Sequence, residues 1–348
     1  MEKMTKIEAK ESMRGFAKLT LDFSFKRVFG NGTNNEALIS FLNRMIGDVE
    51  IEKVELLPTE RLGLVLSDRK VVFDIYCRDK NGTEFIVEMQ CAKQTYFKDR
   101  ALYYAGHPLV EQGRHALEHF IRMHDNVSDE KSDIQSKFRW NYNLKPIIVI
   151  GILNFSMSHD AGWPEDQYYS SYTLQEKTTH EPMSDKLRFI FLELGRFNKG
   201  LEELETIIDK WMYAFKHMHE FRERPQNFNE KEFDVLFNLA KIANFTESDI
   251  TSYMDEMIRD NDYWNCLEYA KAEAISEGRA AGMAEGIAEG RAAGMAEGRA
   301  AGMAEGRAEG IAEGRAESIR KMHAAGFSSE QICSILEISN DIVLDALK

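Results

Sequence analysis

Two short runs of β-branched and aromatic residues, Val71–Cys77 and Glu84–Met89, stand out in the pattern of hydrophobic and polar positions. They are separated by Asp79–Gly82, which contains the dipeptide Asn-Gly, a strong turn signal. Apolar runs of this length on either side of such a turn predict a β-hairpin. We expect the rest of the fold to be organised around this hairpin, within residues 68–98.

Each arm of the hairpin carries one carboxylate where a strand would otherwise be apolar, Asp74 in the first arm and Glu88 in the second. Gln90 follows Glu88 by two residues and shares its face, because side chains alternate along a strand. A two-residue loop would place Asp74 opposite Met89, whereas a three-residue loop, Lys80–Gly82, would place it opposite Glu88. We predict the second register, since Asp at the first turn position and Gly at the fourth favour a type I turn followed by a left-handed residue.

Two opposed carboxylates on one strand face either bind a cation or repel each other. Directly opposed residues have Cβ atoms about 4.5–5.5 Å apart, so Asp74 and Glu88 could hold a divalent cation between them. Without a cation, one of the two pKa values should rise. An Asp, a hairpin and a Glu-x-Gln motif also occur together by chance. On these residues alone, a second interpretation therefore stays open, in which both carboxylates lie on the ordinary solvated face of an edge hairpin.

A helix is predicted before the hairpin, and it contains Asp22 and Lys26. A second amphipathic helix is expected over Glu36–Met45. Asp22 and Lys26 are four residues apart and therefore share one face of their helix. Two interpretations are open. Asp22 and Lys26 form an ordinary i,i+4 pair, or their helix lies across the sheet and places a carboxylate and an ammonium at the site of Asp74 and Glu88.

Another helix is predicted after the hairpin, and its first part is basic. Lys93, Lys98 and Arg100 follow Gln90, and side chains of this kind suit a phosphodiester backbone. The helical pattern is interrupted at Gly106-His107-Pro108, and residues 105–122 continue it.

The remaining segments before residue 273 complete the predicted domain. Leu144–Phe155 is uniformly apolar, as in a central strand that is covered on both faces. Residues 160–186 are polar and loop-like, Phe189–Leu194 is a strand, and Leu201–His219 is a helix. With further helices over 229–270, the sum is an α/β or α+β domain with a mixed sheet flanked by helices.

A true internal repeat begins near Glu273 and ends near Glu317, with glycine at every fourth residue from Gly278 to Gly314. Alanine, glutamate and arginine favour a helix, whereas each glycine costs about 1 kcal/mol against alanine. We therefore expect three parts, residues 1–272, 273–317 and 318–348. The repeat is either a stalk through which the chain forms a homo-oligomer or a flexible, partly helical spacer.

The last part, residues 318–348, reads as a helix, a glycine turn, a helix capped by Ser328 or Ser329, a turn and a final helix. The pattern is similar to the helix-turn-helix of DNA readers. The would-be recognition helix, Asp341–Leu347, carries two aspartates and no basic residue, which favours a small helical cap.

Composition narrows the class of protein. The chain has 348 residues, 43% of them hydrophobic, and a net charge of −14, which argues against a generally basic nucleic-acid binder. A nuclease remains compatible, because it needs only a local basic track and its metal site is itself acidic. We expect a cytoplasmic protein without a membrane segment, since the N-terminus is charged, no apolar run is long enough for a bilayer and the four cysteines are scattered.

Several motifs in order resemble the Rpn family, the recombination-promoting nucleases and related transposases of the PD-(D/E)XK superfamily. The matching stretches cover most of residues 20–215 and are DFSFKRVFG, VVFDIYCRDKNGTEFIVEMQ, YFKDRALYYAG, LKPIIVIGILNF and FIFLELGRFNKGLEELETIIDKWMYAF. The Gly-Arg-Ala-Glu repeats and the terminal helices are also typical of such chains. The resemblance implies a restriction-endonuclease-like core in residues 1–272.

The resemblance also implies a function, a metal-dependent DNA endonuclease of bacterial origin that is linked to recombination or mobile elements. Asp74 and Glu88 would hold Mg²⁺, with Mn²⁺ and Ca²⁺ as alternatives. Gln90 stands where the superfamily often has Lys and would orient water or a phosphate oxygen. Asp22 and Lys26 match the family's N-terminal Asp…Lys motif. DNA is the expected partner, with Lys93, Lys98 and Arg100 gripping flanking phosphates.

The sequence departs from the superfamily pattern in two places, because Phe73 replaces the proline of "PD" and Gln90 replaces lysine. Glutamine supplies no positive charge, so the metal or Lys26 would have to supply more of it. Two alternatives therefore stay open. One is a catalytically silent DNA- or protein-binding module that self-associates through the repeat, and the other is a nuclease that acts on RNA.

Overall fold

The computed structural model of the protein describes residues 15–33, 35–61, 71–124 and 137–348. These residues form two compact units, the first ending at Asp262 and the second spanning Tyr263–Lys348. The helices are α1 (Asp22–Phe29), α2 (Glu36–Ile46), α3 (Phe97–His124), α4 (Ile207–His217), α5 (Lys231–Ala240), α6 (Glu247–Ala324), α7 (Ser329–Leu336) and α8 (Asn340–Ala346). The strands are β1 (Val54–Leu56), β2 (Glu60–Arg61), β3 (Val71–Val72), β4 (Ile75–Asp79), β5 (Glu84–Gln90), β6 (Ile147–Leu153), β7 (Tyr169–Gln175) and β8 (Pro182–Glu193).

A mixed six-stranded sheet with the order β1-β4-β5-β6-β8-β7 forms the centre of the first unit. β5, β6 and β8 run parallel to one another, and the other neighbours are antiparallel. All seven residues of β6 are buried, which explains why its sequence is uniformly apolar. The predicted α/β class with a mixed sheet and flanking helices is confirmed.

Helices cover both faces of this sheet and bury different side chains. One face packs against α1, α2, α4 and α5, in a core that is rich in phenylalanine. The other face packs against α3, whose buried side chains are Phe97, Ala101, Ala105 and Pro108. Tyr76 and Ile86 belong to the face covered by α3. Since side chains alternate along a strand, Glu88 of β5 lies on that face as well.

The hairpin has the predicted register. β4 pairs with β5 from Ile75 opposite Val87 to Arg78 opposite Glu84, so Asp74 and Glu88 come next in register. The loop contains three residues, and Gly82 closes it with a backbone φ of 85°, in the left-handed region that favours glycine. The Gly82 N–H donates to the Asp79 carbonyl oxygen at 3.2 Å, as in a type I turn.

Two of the predicted element boundaries are wrong. α3 is one helix that runs through Pro108 without the predicted interruption. Proline costs this helix one hydrogen bond, but Pro108 is buried against the sheet, and its packing offsets that cost. Residues 160–186 are not all loop, because they include β7 and the start of β8. β7 is an edge strand with mostly polar, exposed residues, and it therefore lacks the apolar pattern that identified the other strands.

The second unit contains most of α6, and α7 and α8 follow it. Ile319, Ile332 and Val343 are the buried residues of its small apolar cluster. The Ser328 hydroxyl accepts the Gln331 N–H and the Gln331 side chain accepts the Ser328 N–H, so Ser328 is the cap of α7. None of the helices that the structure describes is both long enough and apolar enough to cross a bilayer.

Candidate active site at the hairpin

Asp74 and Glu88 are tied to each other's backbone where β4 begins. The Met89 N–H donates to Oδ2 of Asp74 at 2.8 Å, and the Asp74 N–H donates to Oε1 of Glu88 at 3.2 Å. These reciprocal hydrogen bonds fix one oxygen of each carboxylate against the neighbouring strand. Oδ1 of Asp74 lies 3.7 Å from Nζ of Lys26, and Oε2 of Glu88 lies near Arg100 and the Gln90 amide.

Burial makes these two carboxylates unusual acids. The Glu88 side chain is only 4% exposed and that of Asp74 is 16% exposed. Burial, together with the nearby charge of Asp74, raises the pKa of Glu88 to about 8. Burial also raises the pKa of Asp74, although the Met89 N–H and Lys26 act in the opposite direction. The pair therefore does not hold two full negative charges readily near neutral pH unless a cation joins it.

Lys26 brings a positive charge from α1 to Asp74. Its Nζ lies 2.6 Å from Oδ1 of Asp22, one helical turn earlier, and 3.7 Å from Oδ1 of Asp74. Burial alone would lower the pKa of the Lys26 ammonium, but Asp22, Asp74 and Glu88 together raise it. Lys26 is therefore charged, and both predicted residues of α1 lie at the carboxylate pair.

A chain of side-chain contacts links Glu88 to α3. Gln90 lies with its Nε2 3.4 Å from Oε2 of Glu88, and Nε2 of Gln94 donates to Oε1 of Gln90 at 2.8 Å. Nη1 of Arg100 donates to Oε1 of Gln94 at 3.0 Å, while its Nη2 lies 3.8 Å from Oε2 of Glu88. These four side chains close a polar ring on one side of the carboxylates.

Two aromatic residues, Tyr104 and Phe73, pack in sequence beneath the Arg100 guanidinium. The guanidinium lies 4.8 Å from the ring centroid of Tyr104, one turn along α3. The Tyr104 ring packs edge-on against Phe73, with centroids 5.4 Å apart. Phe73 is fully buried. In this chain, the residue in the position of the superfamily proline therefore packs against Tyr104, the ring that contacts the arginine at Glu88.

The three predicted phosphate-binding residues do not all lie at the pair. Arg100 contacts Glu88, as described above. Lys93 is exposed, in the turn between β5 and α3. The Nζ of Lys98 lies 5.8 Å from the ring centroid of Tyr172 on β7, the strand at the far edge of the sheet. The structure thus brings Asp22, Lys26, Gln90 and Arg100 to the carboxylates but places Lys98 farther along the same sheet face.

The donor set at this site fits a hard divalent cation. No third Asp, Glu, His or Cys joins Asp74 and Glu88 to form a cluster of three metal-binding side chains within the residues that the structure describes. Mg²⁺ commonly takes one or two carboxylates and completes its coordination with water and phosphate oxygens. A carboxylate pair whose pKa values are raised by burial is consistent with such a ligand set, because a bound cation would stabilise the charged forms.

Two residues of the site, Gln94 and Tyr104, were not found by sequence reasoning. Gln94 lies in an irregular segment between β5 and α3, where no period relates it to Gln90. Tyr104 belongs to α3, the helix that carries Arg100. Its spacing of four from Arg100 was the signal that could have linked the two side chains on one helix face.

Comparison with known proteins agrees with this geometry. A family model described as "PD-(D/E)XK nuclease family transposase" matches residues 19–270, which include every element of the sheet and the carboxylate pair. No curated protein and no solved structure matches the chain. The family match covers well over half of the sequence and confirms the resemblance inferred from its motifs. The chain therefore belongs to the PD-(D/E)XK nuclease family transposases.

Proposed function

We propose that the chain is a divalent-metal-dependent DNA endonuclease that hydrolyses phosphodiester bonds at Asp74 and Glu88 and serves DNA recombination or mobile elements. The observation that carries the proposal is the interlocked pair of buried carboxylates. Two carboxylates of this kind are costly to a fold, because burial and their mutual repulsion both disfavour the charged forms. A protein that needed only a stable hairpin would gain from apolar residues at these positions.

Asp74 and Glu88 would hold the cation, with Mg²⁺ as our first choice and Mn²⁺ or Ca²⁺ as alternatives. When bound, the metal would lower the pKa of a water molecule and neutralise charge on the phosphate. The protein's part is to keep both carboxylates oriented, which the Met89 and Asp74 N–H groups do from the backbone. Backbone donors hold their positions better than mobile side chains, so the pair is preorganised.

Lys26 and Arg100 would supply the positive charge that Gln90 does not. Lys26 reaches Asp74 from α1 and Arg100 reaches Glu88 from α3, so a phosphate at the pair would meet one cation from each side. Gln90 contacts Glu88 and Gln94. Its role in this arrangement is to orient the Glu88 carboxylate. Asp22, 2.6 Å from Lys26, would in turn orient that ammonium.

The DNA backbone would extend from the pair along the basic start of α3. Arg100 stands at the pair, Lys93 is exposed between β5 and α3, and Lys98 lies farther along the same face, near Tyr172. Phosphate contacts fix the position of a nucleic acid without reading its sequence. Lys93→Ala and Lys98→Ala should therefore weaken binding to all DNA sequences alike and reduce the salt dependence of binding.

A nicking assay on supercoiled plasmid DNA tests the function. With Mg²⁺ present we expect nicking by the wild-type protein, and none after the metal is chelated. Asp74→Ala and Glu88→Ala should each lower the rate on the order of 10³-fold, or about 4 kcal/mol of activation free energy. Glu55→Ala, at an exposed carboxylate of β1, is the matched control and should leave the rate unchanged.

Two outcomes of the assay would overturn the proposal. Wild-type nicking rates in both Asp74→Ala and Glu88→Ala would remove the site assignment. Cleavage of RNA in place of DNA under the same conditions would keep the site but replace the substrate.

One observation favours a second candidate, a catalytically silent nuclease fold that binds DNA or protein. The residue in the position of the superfamily lysine, Gln90, brings no positive charge to the site. Metal titration separates the two candidates, because a ligand that binds only the folded state raises its stability. An active site should gain thermal stability with Mg²⁺ or Mn²⁺, and a silent fold that has lost its metal should gain none.

We also propose that the repeat self-associates. Glutamate precedes seven of the ten glycines and arginine follows five of them, so the nearest opposite charges stand two residues apart, on opposite sides of the helix. Because the repeat has period four, no glutamate of residues 278–314 has an arginine at i+3 or i+4. The structure describes all of these residues, and no ion pair joins two of their side chains. A second copy of this chain could supply the missing partners, and nothing lies within 4 Å of the Cβ that would be added at any of these ten glycines.

A further inference from the structure

Helix α1, which carries Asp22 and Lys26, has no side-chain cap of its own. Its N-cap residue is Leu21, whose side chain accepts no hydrogen bond. The first N–H groups of any helix have no partner within the helix and need an acceptor from elsewhere. At α1 the Phe23 N–H is partly buried, whereas the Asp22 N–H is exposed, and both find an acceptor in the protein.

Glu256 of α6 provides that acceptor from more than 230 residues farther along the chain. Its Oε1 accepts the Asp22 N–H at 2.9 Å and its Oε2 accepts the Phe23 N–H at 2.7 Å. Both oxygens of one carboxylate therefore bind the first two N–H groups of α1. A negative charge at this end of a helix is also favoured by the helix dipole.

Further contacts tie the first turns of α6 to the same segment. The Lys18 Nζ lies 2.6 Å from Asp260, and Nε of Arg27 lies 3.3 Å from Asp249. An apolar cluster fills the space between them, and its buried members are Ala17, Leu21, Ile242, Phe245, Ile250 and Tyr253. α6 thus contacts the start of α1 through Glu256, the segment just before α1 through Asp260 and the last turn of α1 through Asp249.

The position of α1 determines where the Lys26 ammonium lies. Lys26 is one turn after the two N–H groups that Glu256 binds, and its Nζ lies 3.7 Å from Asp74. A cavity of about 470 Å³ borders the helix here and is lined by Asp22 and Lys26 on one side and by Glu256 and Arg259 on the other. The exposed side of the start of α1 faces this space, while Leu21, Ser24 and Phe25 are buried.

We propose that Glu256 is a positioning residue of the active site, which acts through α1 to hold Lys26 beside the Asp74–Glu88 pair. This inference rests on the proposed nuclease function. It adds a residue from α6, the helix that continues into the glycine repeat, to a site otherwise built by α1, the hairpin and α3. Displacements of about 1 Å at a catalytic group can cost on the order of 100-fold in rate, so a lost cap would matter for catalysis.

The test uses the full chain with Glu256→Ala and Glu256→Gln, and with Asp255→Asn as the matched control at an exposed neighbouring carboxylate. We expect Glu256→Ala to lower kcat for plasmid nicking roughly 10- to 100-fold while KM stays close to that of wild type. Glutamine keeps one acceptor oxygen of the same reach, so Glu256→Gln should fall between Glu256→Ala and wild type. Asp255→Asn should behave as wild type.

A mutant cycle with Lys26 separates positioning from a general loss of stability. If Glu256 acts through Lys26, Glu256→Ala should lower kcat little further in a Lys26→Ala background. A purely structural role predicts the same additional loss in both backgrounds. That result, or wild-type kcat in Glu256→Ala, would overturn the proposal.

Hydrogen exchange gives a measurement that does not need catalysis. The amides of Asp22 and Phe23 should exchange faster in Glu256→Ala, while amides of β5 and β6 keep their protection. Unchanged protection of Asp22 and Phe23 would overturn the proposal even if the wild-type protein cleaved no DNA. Absence of cleavage in wild type would instead count against the proposed function, so the two failures are distinguishable.

Discussion

The buried Glu88 carboxylate should lower the folding stability of the metal-free protein, and a single substitution should remove this destabilisation. The side chain is almost fully buried, and its pKa is raised to about 8 by burial and by Asp74. Glu88→Gln keeps the shape of the side chain and removes the charge. We expect Glu88→Gln to stabilise the metal-free protein by on the order of 1 to 2 kcal/mol at pH 8, as is common where a functional residue is neutralised.

The pH dependence of this gain has a definite sign. A carboxyl group whose folded-state pKa is raised binds more protons when folded than when unfolded, so the folded state loses stability as pH rises from about 4.5 to about 8. The advantage of Glu88→Gln should therefore be absent at pH 4, grow across this window and disappear when Mg²⁺ is added to the wild type. Thermal unfolding at several pH values measures it, with Glu55→Gln as the control. A Glu88→Gln protein less stable than wild type at pH 8 would contradict the account.

Only some of the residues that form the candidate site could be predicted from the sequence. Asp74, Glu88 and Gln90 were identified because charged or polar side chains interrupt apolar strands, and the structure brings them together. Glu256 and Gln94 were not, because their contacts depend on how separate elements pack. Sequence spacing carries no information on a carboxylate that caps a helix more than 230 residues away.

At the scale of elements, the turn set the register that brings the carboxylates together. The residues of Asp79–Gly82 admit one favoured loop, and that loop alone places Asp74 beside Glu88. Local turn chemistry was therefore enough to predict the central feature of the site. β7 could not be predicted in the same way, since an exposed edge strand is held by its neighbour and not by its own apolar pattern.

Gly151 of β6 lies opposite Glu88 in the parallel pairing of β5 and β6. A substitution at Gly151 tests how closely α3 must approach the sheet at this point. A Cβ at Gly151 would lie 2.8 Å from Cζ of Phe97, the first residue of α3. We expect Gly151→Ala to cost about 1–3 kcal/mol of stability by overpacking and to lower nicking, because the start of α3 leads to Arg100. Chemical denaturation and the plasmid assay measure the two effects.

Gly106 is the matched control within α3, because nothing lies within 4 Å of the Cβ that would be added there. Gly106→Ala should raise stability by about 0.5–1 kcal/mol through helix propensity and leave nicking unchanged. Equal effects of Gly151→Ala and Gly106→Ala would show that the close approach at Gly151 is unimportant.

At the scale of the whole molecule, the repeat is the part whose role the sequence left most open. The structure describes it as part of one helix, α6, whose repeat residues are exposed. Exposed apolar side chains also recur along it, at Met283, Ile287, Met295, Met303 and Ile311. A helical segment with exposed glycines, exposed methionines and no ion pair between side chains of residues 278–314 should be marginal alone, which favours the stalk over the flexible spacer.

Sedimentation velocity of the full chain and of a chain that ends at residue 272 tests the stalk. We expect the full chain to self-associate at micromolar concentration and the shorter chain to stay monomeric. High salt should weaken the association, because pairs between glutamate and arginine of two copies are screened. Monomers in both samples at every concentration would leave the spacer as the remaining interpretation.

A mutant cycle in the Mg²⁺-dependent nicking rate shows whether Asp74 and Glu88 act as one hydrolytic centre, as we propose. The variants are Asp74→Asn, Glu88→Gln and the two combined, each checked for folding by thermal unfolding. Residues that act as a unit have strongly non-additive effects. We predict that each single variant loses nearly all activity and that the double variant is no slower than either. Residual activity in the single variants, with losses that multiply in the double variant, would contradict the account.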